Sequence, residues 1–316
     1  MIYILSSQNM RATSHGGIRT LADLLLKLNT PIIHIKNETI IQTLVSISAI
    51  KKADWGILIG YSDKVVFFSL VNVLFRRHQY IYIPCFHPWY AMNNRLFAWV
   101  YERTFLVILL RSRRVLCLSE YERNYLTNLY PSGTYDVINL PSRFTYDPNK
   151  GSGRKNIIFV GRDDSNKNLD GFIQICDEIE RDFSEGLNFI IISDTKRLLP
   201  VRFKIYKDMT NEEVQVLYCS SLAIVVPSRW ESLSLVGVEA ISCGCKLICT
   251  GGVTLGTKSS IYPSLIMDLD RSDFSVGEFL RHPVNDVELS DFQTLHSYDH
   301  FLEQITGDLR DVFINQ

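Results

Sequence analysis

Nothing in this 316-residue chain reads as a segment that crosses a bilayer. The stretch RLFAWVYERTFLVILLRSRR at 95–114 is broken by Glu102 and Arg103, and its apolar part is too short to span one. Metal-ligand spacing is missing too. The seven cysteines, an odd number, are scattered through apolar segments. Cys243-Gly-Cys245 is too tight for a zinc pair and has no second pair beside it, so the thiols read as reduced core residues of a cytoplasmic protein. An Asp-x-Asp pair in a loop suited to Mg2+ is absent. Asp268-Leu-Asp270 has the spacing but lies late in the chain, after a predicted strand at Leu265–Met267. There is no internal repeat and no low-complexity tract. No nucleic-acid recognition motif occurs, and the arginines of the first half sit among large apolar residues, which argues against a nucleic-acid partner. The first predicted strand begins at Ile2, so no secretory signal is expected before the fold.

What is present is ordinary for a globular protein: 46% hydrophobic and 21% charged residues. The length exceeds one comfortable core and predicts two domains of about 150 residues. The net charge of −1 conceals an asymmetry. Residues 1–150 carry 17 Lys+Arg against 9 Asp+Glu, a net of +8, and residues 151–316 carry 16 against 25, a net of −9. A basic first half suggests an anionic partner or surface, such as the anionic leaflet of a membrane.

Strand and helix patterns alternate along both halves. Apolar runs at Ile2–Leu5, Pro31–Ile35, Trp55–Ile59, Tyr80–Ile83 and Val115–Leu118 predict strands, with a Leu-rich helix at Ile18–Leu28. Ser119-x-x-Glu122 predicts a capping box at the start of the next helix. The 95–114 stretch reads as a buried helix with arginine-rich ends, or as a leaflet-contacting surface. Residues 141–155 hold two prolines and two glycines between apolar runs and are the best linker candidate. Strands follow at Ile157–Val160 and Asn188–Ser193, helices at Leu169–Ile179 and Glu212–Cys219, and an amphipathic pattern at Phe292–Phe313. The expected fold class is α/β, two doubly wound parallel sheets.

The most informative segment is LAIVVPSRWESLSLVGVEAISCGCKLIC at 222–249. It reads as a strand to Val226, a loop from Pro227, an apolar helix ending at Gly244 and a second strand at Cys245–Cys249, a βαβ unit. Glu231 falls on the loop and Glu239 about two helical turns beyond it. The backbone N–H groups of Ser234, Leu235 and Val236 open that helix and form a natural anion site. Carboxylates beside an anion site suit a ligand that carries both hydroxyls and phosphates.

This segment resembles the Glu-x7-Glu signature of retaining glycosyltransferases with the GT-B fold, P-S-x-x-E-G-F-G-L-V-x-x-E-A-x-x-x-G. Pro227, Ser228, Glu231, Leu235, Val236, Glu239, Ala240 and Gly244 match, and Ser232-Leu233-Ser234 replaces Gly-Phe-Gly. Upstream, IIFVGRDDSNKNLD at 157–170 is similar to the family's F-V-G-R-x-x-x-x-K-G-x-D, with Gly161, Arg162, Lys167 and Asp170 matching. The resemblance implies GT-B, two Rossmann-like domains facing across a cleft. The first, 1–145, would bind acceptor and the second, 146–316, nucleotide sugar; the last helix, about 292–316, is a candidate to pack back on the first.

The resemblance also implies roles. Arg162 and Lys167 take the charge of the departing diphosphate in place of a metal, so neither cofactor nor divalent ion is expected. Glu239 anchors the ribose, and Glu231 faces the donor sugar. Ser234, Leu235 and Val236 offer N–H groups to phosphate, with Gly16-Gly17 as the glycine loop of the first domain and His87 near the sugar. The expected partners are a nucleotide-sugar donor and a carbohydrate or polyprenyl-phosphate-linked acceptor. The protein would sit in the cytoplasm or peripherally on the inner face of the plasma membrane, serving bacterial surface polysaccharide such as O-antigen or capsule. Two alternatives stand beside this one: a GT-B sugar-nucleotide epimerase or hydrolase, and a non-catalytic nucleotide-sugar-binding subunit, which the Ser-Leu-Ser substitution favours.

Overall fold

The computed structural model describes residues 2–6, 32–34, 55–60, 79–85, 95–146, 154–183 and 186–314. The chain divides into two compact units, Met1–Ile138 and Asn139–Gln316. The first contains strands β1 (Ile2–Ser6), β2 (Ile32–His34), β3 (Trp55–Ile59), β4 (Gln79–Ile83), β5 (Ser112–Cys117) and β6 (Tyr135–Val137). They form one sheet in the order β2-β1-β3-β4-β5-β6, and every pairing is parallel. Ile57–Ile59 of β3 and Tyr80–Ile83 of β4 are buried, as a parallel sheet covered on both faces requires.

Helix α1 (Arg95–Arg111) fills the crossover between β4 and β5. Its Phe105, Ile108 and Leu109 are buried, and the Tyr80 hydroxyl donates to the Ile108 carbonyl at 2.8 Å. The second half of this helix therefore contributes to the core, and its basic end runs on into a strand. β5 starts at Ser112, ahead of the expected Val115, because Ser112 and Arg114 pair with Tyr80 and Ile81 of β4. Among the described residues no helix is long and apolar enough to cross a membrane. At α2 (Glu120–Leu129) the Ser119 hydroxyl accepts the Glu122 N–H at 3.2 Å, as a cap should. The buried Glu122 carboxylate reaches further back than the capping box predicts, to the N–H of Leu118 at 2.6 Å.

The second unit repeats the plan. Its strands are β7 (Asn156–Val160), β8 (Asn188–Ile192), β9 (Phe203–Tyr206), β10 (Ser221–Val226), β11 (Lys246–Cys249) and β12 (Ile266–Asp268), parallel throughout in the order β12-β11-β10-β7-β8-β9. Helix α3 (Leu169–Asp182) packs Phe172, Cys176 and Ile179 on one sheet face, with Phe159, Phe189 and Phe203. Helices α4 (Asn211–Cys219) and α5 (Leu235–Ser242) cover the other face with Tyr218, Val238 and Ile241. α5 ends as expected at Gly244, whose φ of +81° only glycine adopts cheaply; a Cβ there would also meet the Arg154 guanidinium at 2.6 Å. Helices α6 (Val276–Arg281), α7 (Asp286–Leu295) and α8 (Tyr298–Ile314) complete the unit. Its cysteines are free and buried, their thiols pushed up by burial at Cys176, Cys245 and Cys249.

The break between the units precedes the Pro/Gly-rich stretch at 141–155. Residues 139–144 are fastened to the second unit. The Asn139 N–H donates to Gln304 Oε1 at 3.0 Å, and the Ser142 N–H donates to the His296 carbonyl at 2.8 Å. The His296 ring Nδ1 lies 2.8 Å from the Leu140 carbonyl, and Phe144 enters the core. In the second sheet the chain starts at β7, runs outward through β8 and β9, and returns to the other side at β10. The carboxyl ends of β7 and β10 thus flank a topological switch point, the place where open α/β sheets bind ligands.

Candidate functional site

Both motif blocks deliver their loops to that switch point. Residues 161–168 follow β7 and carry Arg162 and Lys167; residues 227–234 follow β10 and carry Glu231. The loops are stitched together by asparagines. Asn166 Nδ2 donates to the Trp230 carbonyl at 3.0 Å and its Oδ1 accepts the Trp230 N–H at 3.2 Å, so one side chain imitates a strand edge. The Arg229 N–H donates to the Asn166 carbonyl at 2.8 Å. Asn168, left-handed at φ 55°, caps α3 through the Gly171 N–H and donates to the Pro227 carbonyl at 3.1 Å. Asp164 Oδ1 accepts the N–H groups of Asn166 and Lys167, which closes the first loop.

This stitching brings Lys167 Nζ onto Glu231 Oε1 as an ion pair. Ser228 Oγ donates to the same carboxylate oxygen at 3.0 Å. Among the described residues no partner sits on Glu231 Oε2. A third loop, after β11, grips Glu231 by its backbone. The Glu231 N–H donates to the Gly252 carbonyl at 3.0 Å, and the Thr254 N–H donates to the Glu231 carbonyl at 3.2 Å. Thr250 Oγ1 donates to the Ser228 carbonyl at 2.7 Å, and Thr254 Oγ1 to the Ser232 carbonyl at 2.6 Å. Gly252 is indispensable to that contact, since a Cβ would lie 2.0 Å from the Arg229 carbonyl oxygen.

The Ser-Leu-Ser departure has a structural cause. Ser234 is the N-cap of α5, its hydroxyl oxygen accepting the Gly237 N–H at 3.3 Å, and it is buried. Ser232 is buried as well, and Leu233 packs against the core. The Ser234 hydroxyl thus sits on the α5 N-terminus, whose first turn Leu235 and Val236 begin.

Glu239 lies on the second turn of α5 and is 3% exposed. Arg143, a residue the motifs do not include, places its Nε 2.5 Å from Glu239 Oε1. Burial opposes the charge of Arg143, but the hydrogen bond and the negative charge of Glu239 outweigh it and leave the guanidinium pushed up. Arg162 is not gathered with the others. Its side chain is 77% exposed and paired with Asp164 at 3.0 Å, on its own loop. Asp170 pairs with Arg197, and Asp163 accepts the Thr195 hydroxyl at 2.7 Å. Asp268 and Asp270 are engaged locally, Asp268 also by the Arg271 side chain at 3.4 Å. Asp268 accepts the Asp270 N–H at 3.0 Å, and Asp270 accepts the Gly251 N–H at 2.7 Å. Gly16, Gly17 and His87 lie outside the described residues. Asn166, Asn168, Thr254 and Gly252 escaped the sequence reading because their work is done by contacts between distant loops; Asn168 alone carried a signal, as a cap residue before Leu169.

Residues 145–255 match the model of the family described as glycosyl transferases group 1. The matched region covers both motif blocks with Lys167, Glu231 and Glu239, while Arg143 lies just ahead of it. The fold agrees. The chain superposes on a sucrose-phosphate synthase from Thermosynechococcus elongatus with a TM-score of 0.76 at 15% identity, covering 100% of both chains. It also superposes on an E. coli chain described as "Trehalose-6-phosphate … bound with UDP-2-fluoro glucose", with a TM-score of 0.63 at 12% identity, covering 98% of this chain and 99% of that one. These are GT-B glycosyltransferase structures, and GT-B is the fold of this chain. In sequence it is similar to an uncharacterized 41.2 kDa protein in the cps region of Klebsiella pneumoniae, 31% identical over 105 residues. That match spans 32% of this chain and 28% of the Klebsiella protein.

Proposed function

We propose that this protein is a group 1 glycosyltransferase, retaining and metal-independent, that moves a sugar from a nucleotide-sugar donor to a hydroxyl of a glycan or lipid-linked saccharide. The observation that carries the reading is the Lys167–Glu231 pair beside the N-terminus of α5 at the β7/β10 switch point. As the glycosidic bond breaks, negative charge grows on the leaving phosphate oxygen, and fixed donors aimed at it lower the barrier. The Lys167 ammonium has three hydrogens, so it can keep Glu231 and still reach a phosphate. A cation about 4 Å from a phosphate oxygen contributes roughly 4 kcal/mol at an effective dielectric of 20. The N–H groups of Leu235 and Val236 add the helix-terminus field. Arg162, exposed on the same loop, is the second cation once it leaves Asp164.

With one oxygen held by Lys167 and Ser228, Glu231 turns the other toward hydroxyls of the donor sugar. Glu239 takes the ribose hydroxyls. The acceptor hydroxyl attacks from the face the phosphate leaves, and the departing phosphate oxygen takes its proton. The superposed E. coli chain is described with a UDP sugar, and the pneumococcal O-GlcNAc transferase GtfA with UDP and GlcNAc, which supports a nucleotide-sugar donor. The cps region of the Klebsiella relative supports surface polysaccharide as the product. The basic first half, net +8 over residues 1–150, suits an acceptor at an anionic leaflet. Co-sedimentation with anionic vesicles that high salt abolishes tests this last point.

A thermal-shift panel of UDP-, GDP- and dTDP-sugars identifies the donor, which stabilises by mass action. Transfer is then followed with and without chelator. The expected result is transfer that EDTA leaves unchanged, with the anomeric configuration kept. Activity lost to EDTA and restored by a divalent ion would overturn the metal-independent part. Hydrolysis or epimerisation of donor alone, or binding without transfer to any acceptor, would overturn the transferase reading.

A further inference from the structure

Arg143 stands apart from both motif blocks, on the first stretch of the second unit, yet it contacts the most buried acid of the site. Its Nε donates to Glu239 Oε1 at 2.5 Å, its Nη1 reaches Asn211 Oδ1 at 3.4 Å, and its guanidinium carbon lies 5.3 Å from the centroid of the Phe144 ring. Phe144 belongs to the core, and residues on either side of Arg143 are fixed, since Leu140 is bound by His296 and Ser142 by the His296 carbonyl. The arginine is therefore held in place by its own segment. The Tyr218 phenol also feels Glu239, but burial first and that negative charge second hold it well above its ordinary range, so it stays neutral.

A carboxylate accepts hydrogen bonds from both hydroxyls of a vicinal diol only when it is ionised and its plane is fixed. A buried acid deprived of a cation tends to its neutral form, which offers an oxygen-bound hydrogen where the diol needs an acceptor. Arg143 supplies both conditions, with a planar donor group that ammonium does not reproduce.

We propose that Arg143 is a positioning residue for the nucleotide's ribose: through Nε it keeps Glu239 charged and oriented to receive the 2′ and 3′ hydroxyls, and so makes the site selective for ribonucleotides. This rests on the donor-site reading of Glu239 given above. The residue touches neither the reacting atoms nor the sugar to be transferred, so its loss acts on affinity for the ribose and only through that on turnover.

Calorimetric titration of wild type, R143A and R143K with UDP, GDP and ADP, each against its 2′,3′-dideoxy counterpart, tests the proposal. R143A is expected to lose about thirtyfold in affinity for the ribonucleotide that wild type prefers, the scale of one charged hydrogen bond. Its affinity for the dideoxy form should change by less than about threefold, with R143K falling between wild type and R143A on the ribonucleotide alone. Equal weakening of both forms would mean that Arg143 merely supports the fold, and overturns the proposal. Discrimination preserved in R143A overturns it as well, and leaves the donor reading intact. A wild-type protein that binds both forms equally, or binds none, sinks the donor reading and this proposal with it. Should R143A fail to fold, R143K carries the test: a loss confined to the ribonucleotide supports the proposal, and no loss or a shared loss overturns it.

Discussion

Glu231 and Glu239 stand on one βα unit, yet they are held by different kinds of structure. Glu231 is a loop residue whose backbone is pinned by the Gly252 carbonyl and the Thr254 N–H, and whose side chain is pinned by Lys167 and Ser228. Several weak fastenings from three loops fix it. Glu239 rides on a helix inside the core, where α5 fixes its backbone and the cation Arg143 comes from a segment far away in sequence. The difference is instructive. The carboxylate proposed to face the donor sugar is set by loops, which can change without touching the core. The carboxylate proposed to take the ribose is set by the fold itself.

The sharpest way to break the loop-held side is Lys167→Ala. It removes the cation closest to the proposed leaving phosphate, for which roughly 4 kcal/mol is at stake, so transfer should fall by about a thousandfold. The loops keep their asparagine and threonine stitches, so the melting temperature should drop by no more than a few degrees. Initial rates at saturating donor and a thermal melt, measured together, decide it. Wild-type-like turnover would contradict the role given to Lys167.

Gly252→Ala attacks the same side through the backbone. A Cβ placed 2.0 Å from the Arg229 carbonyl forces the third loop away from Glu231. The expected cost is about 3 kcal/mol in chemical denaturation, the scale of an overpacked buried contact. If the variant denatures like wild type, the grip of this loop on Glu231 is not tight.

The sequence showed one half of this comparison better than the other. Both carboxylates, the Ser234 helix start, Lys167 and the Gly244 stop were legible because each is a local pattern: a strand end, a cap, a helical spacing, a left-handed glycine. The parallel sheets were legible for the same reason, since buried strands are continuous apolar runs. β6 and β9 were not, because YDV and FKIY are short and polar or exposed, and they form only by pairing with a neighbour. Arg143 was invisible as a partner of Glu239, as was Asn166 as a partner of Trp230. Nothing at those positions marks a contact across 96 or 64 residues. The exposed state of Arg162 was likewise unreadable, because a motif match gives a residue's identity and not its side-chain direction.

The fold-held side has its own weak point in His296. This ring is 2% exposed; its Nδ1 meets the Leu140 carbonyl, and its buried Nε2 has no hydrogen-bond partner among the described residues. Burial first, then the charge of Lys258, pushes its pKa down to about 3, with the Leu140 hydrogen bond opposing and His300 adding to the shift. The unfolded chain therefore binds a proton near pH 6.5 that the folded one refuses until about pH 3, and stability falls as pH drops through that window. Between pH 7 and 5 the loss from this one group is about 2 kcal/mol. His296→Asn keeps a donor for Leu140 and removes the titration, so urea midpoints at pH 7 and 5 should differ by less in the variant than in wild type. An unchanged pH dependence would free the segment beneath Arg143 from any role of His296.

Arg162→Ala gives the smallest effect on the fold and tells the two cations apart. At 77% exposure, with its pairing to Asp164 on the same loop, Arg162 contributes at most about 0.5 kcal/mol to stability, as exposed pairs generally do. Melting should not move. Its proposed work begins only when a diphosphate arrives and offers it a better partner than Asp164, so the loss should appear in turnover, at about tenfold, the share of a solvent-screened cation. Raising the salt should shrink the gap between wild type and Arg162→Ala while leaving the Lys167→Ala deficit nearly intact, because Lys167 is 22% exposed and shielded by the loops. A gap that does not respond to salt would place Arg162 in the same enclosed environment as Lys167 during transfer, and would show that its loop turns inward when donor binds.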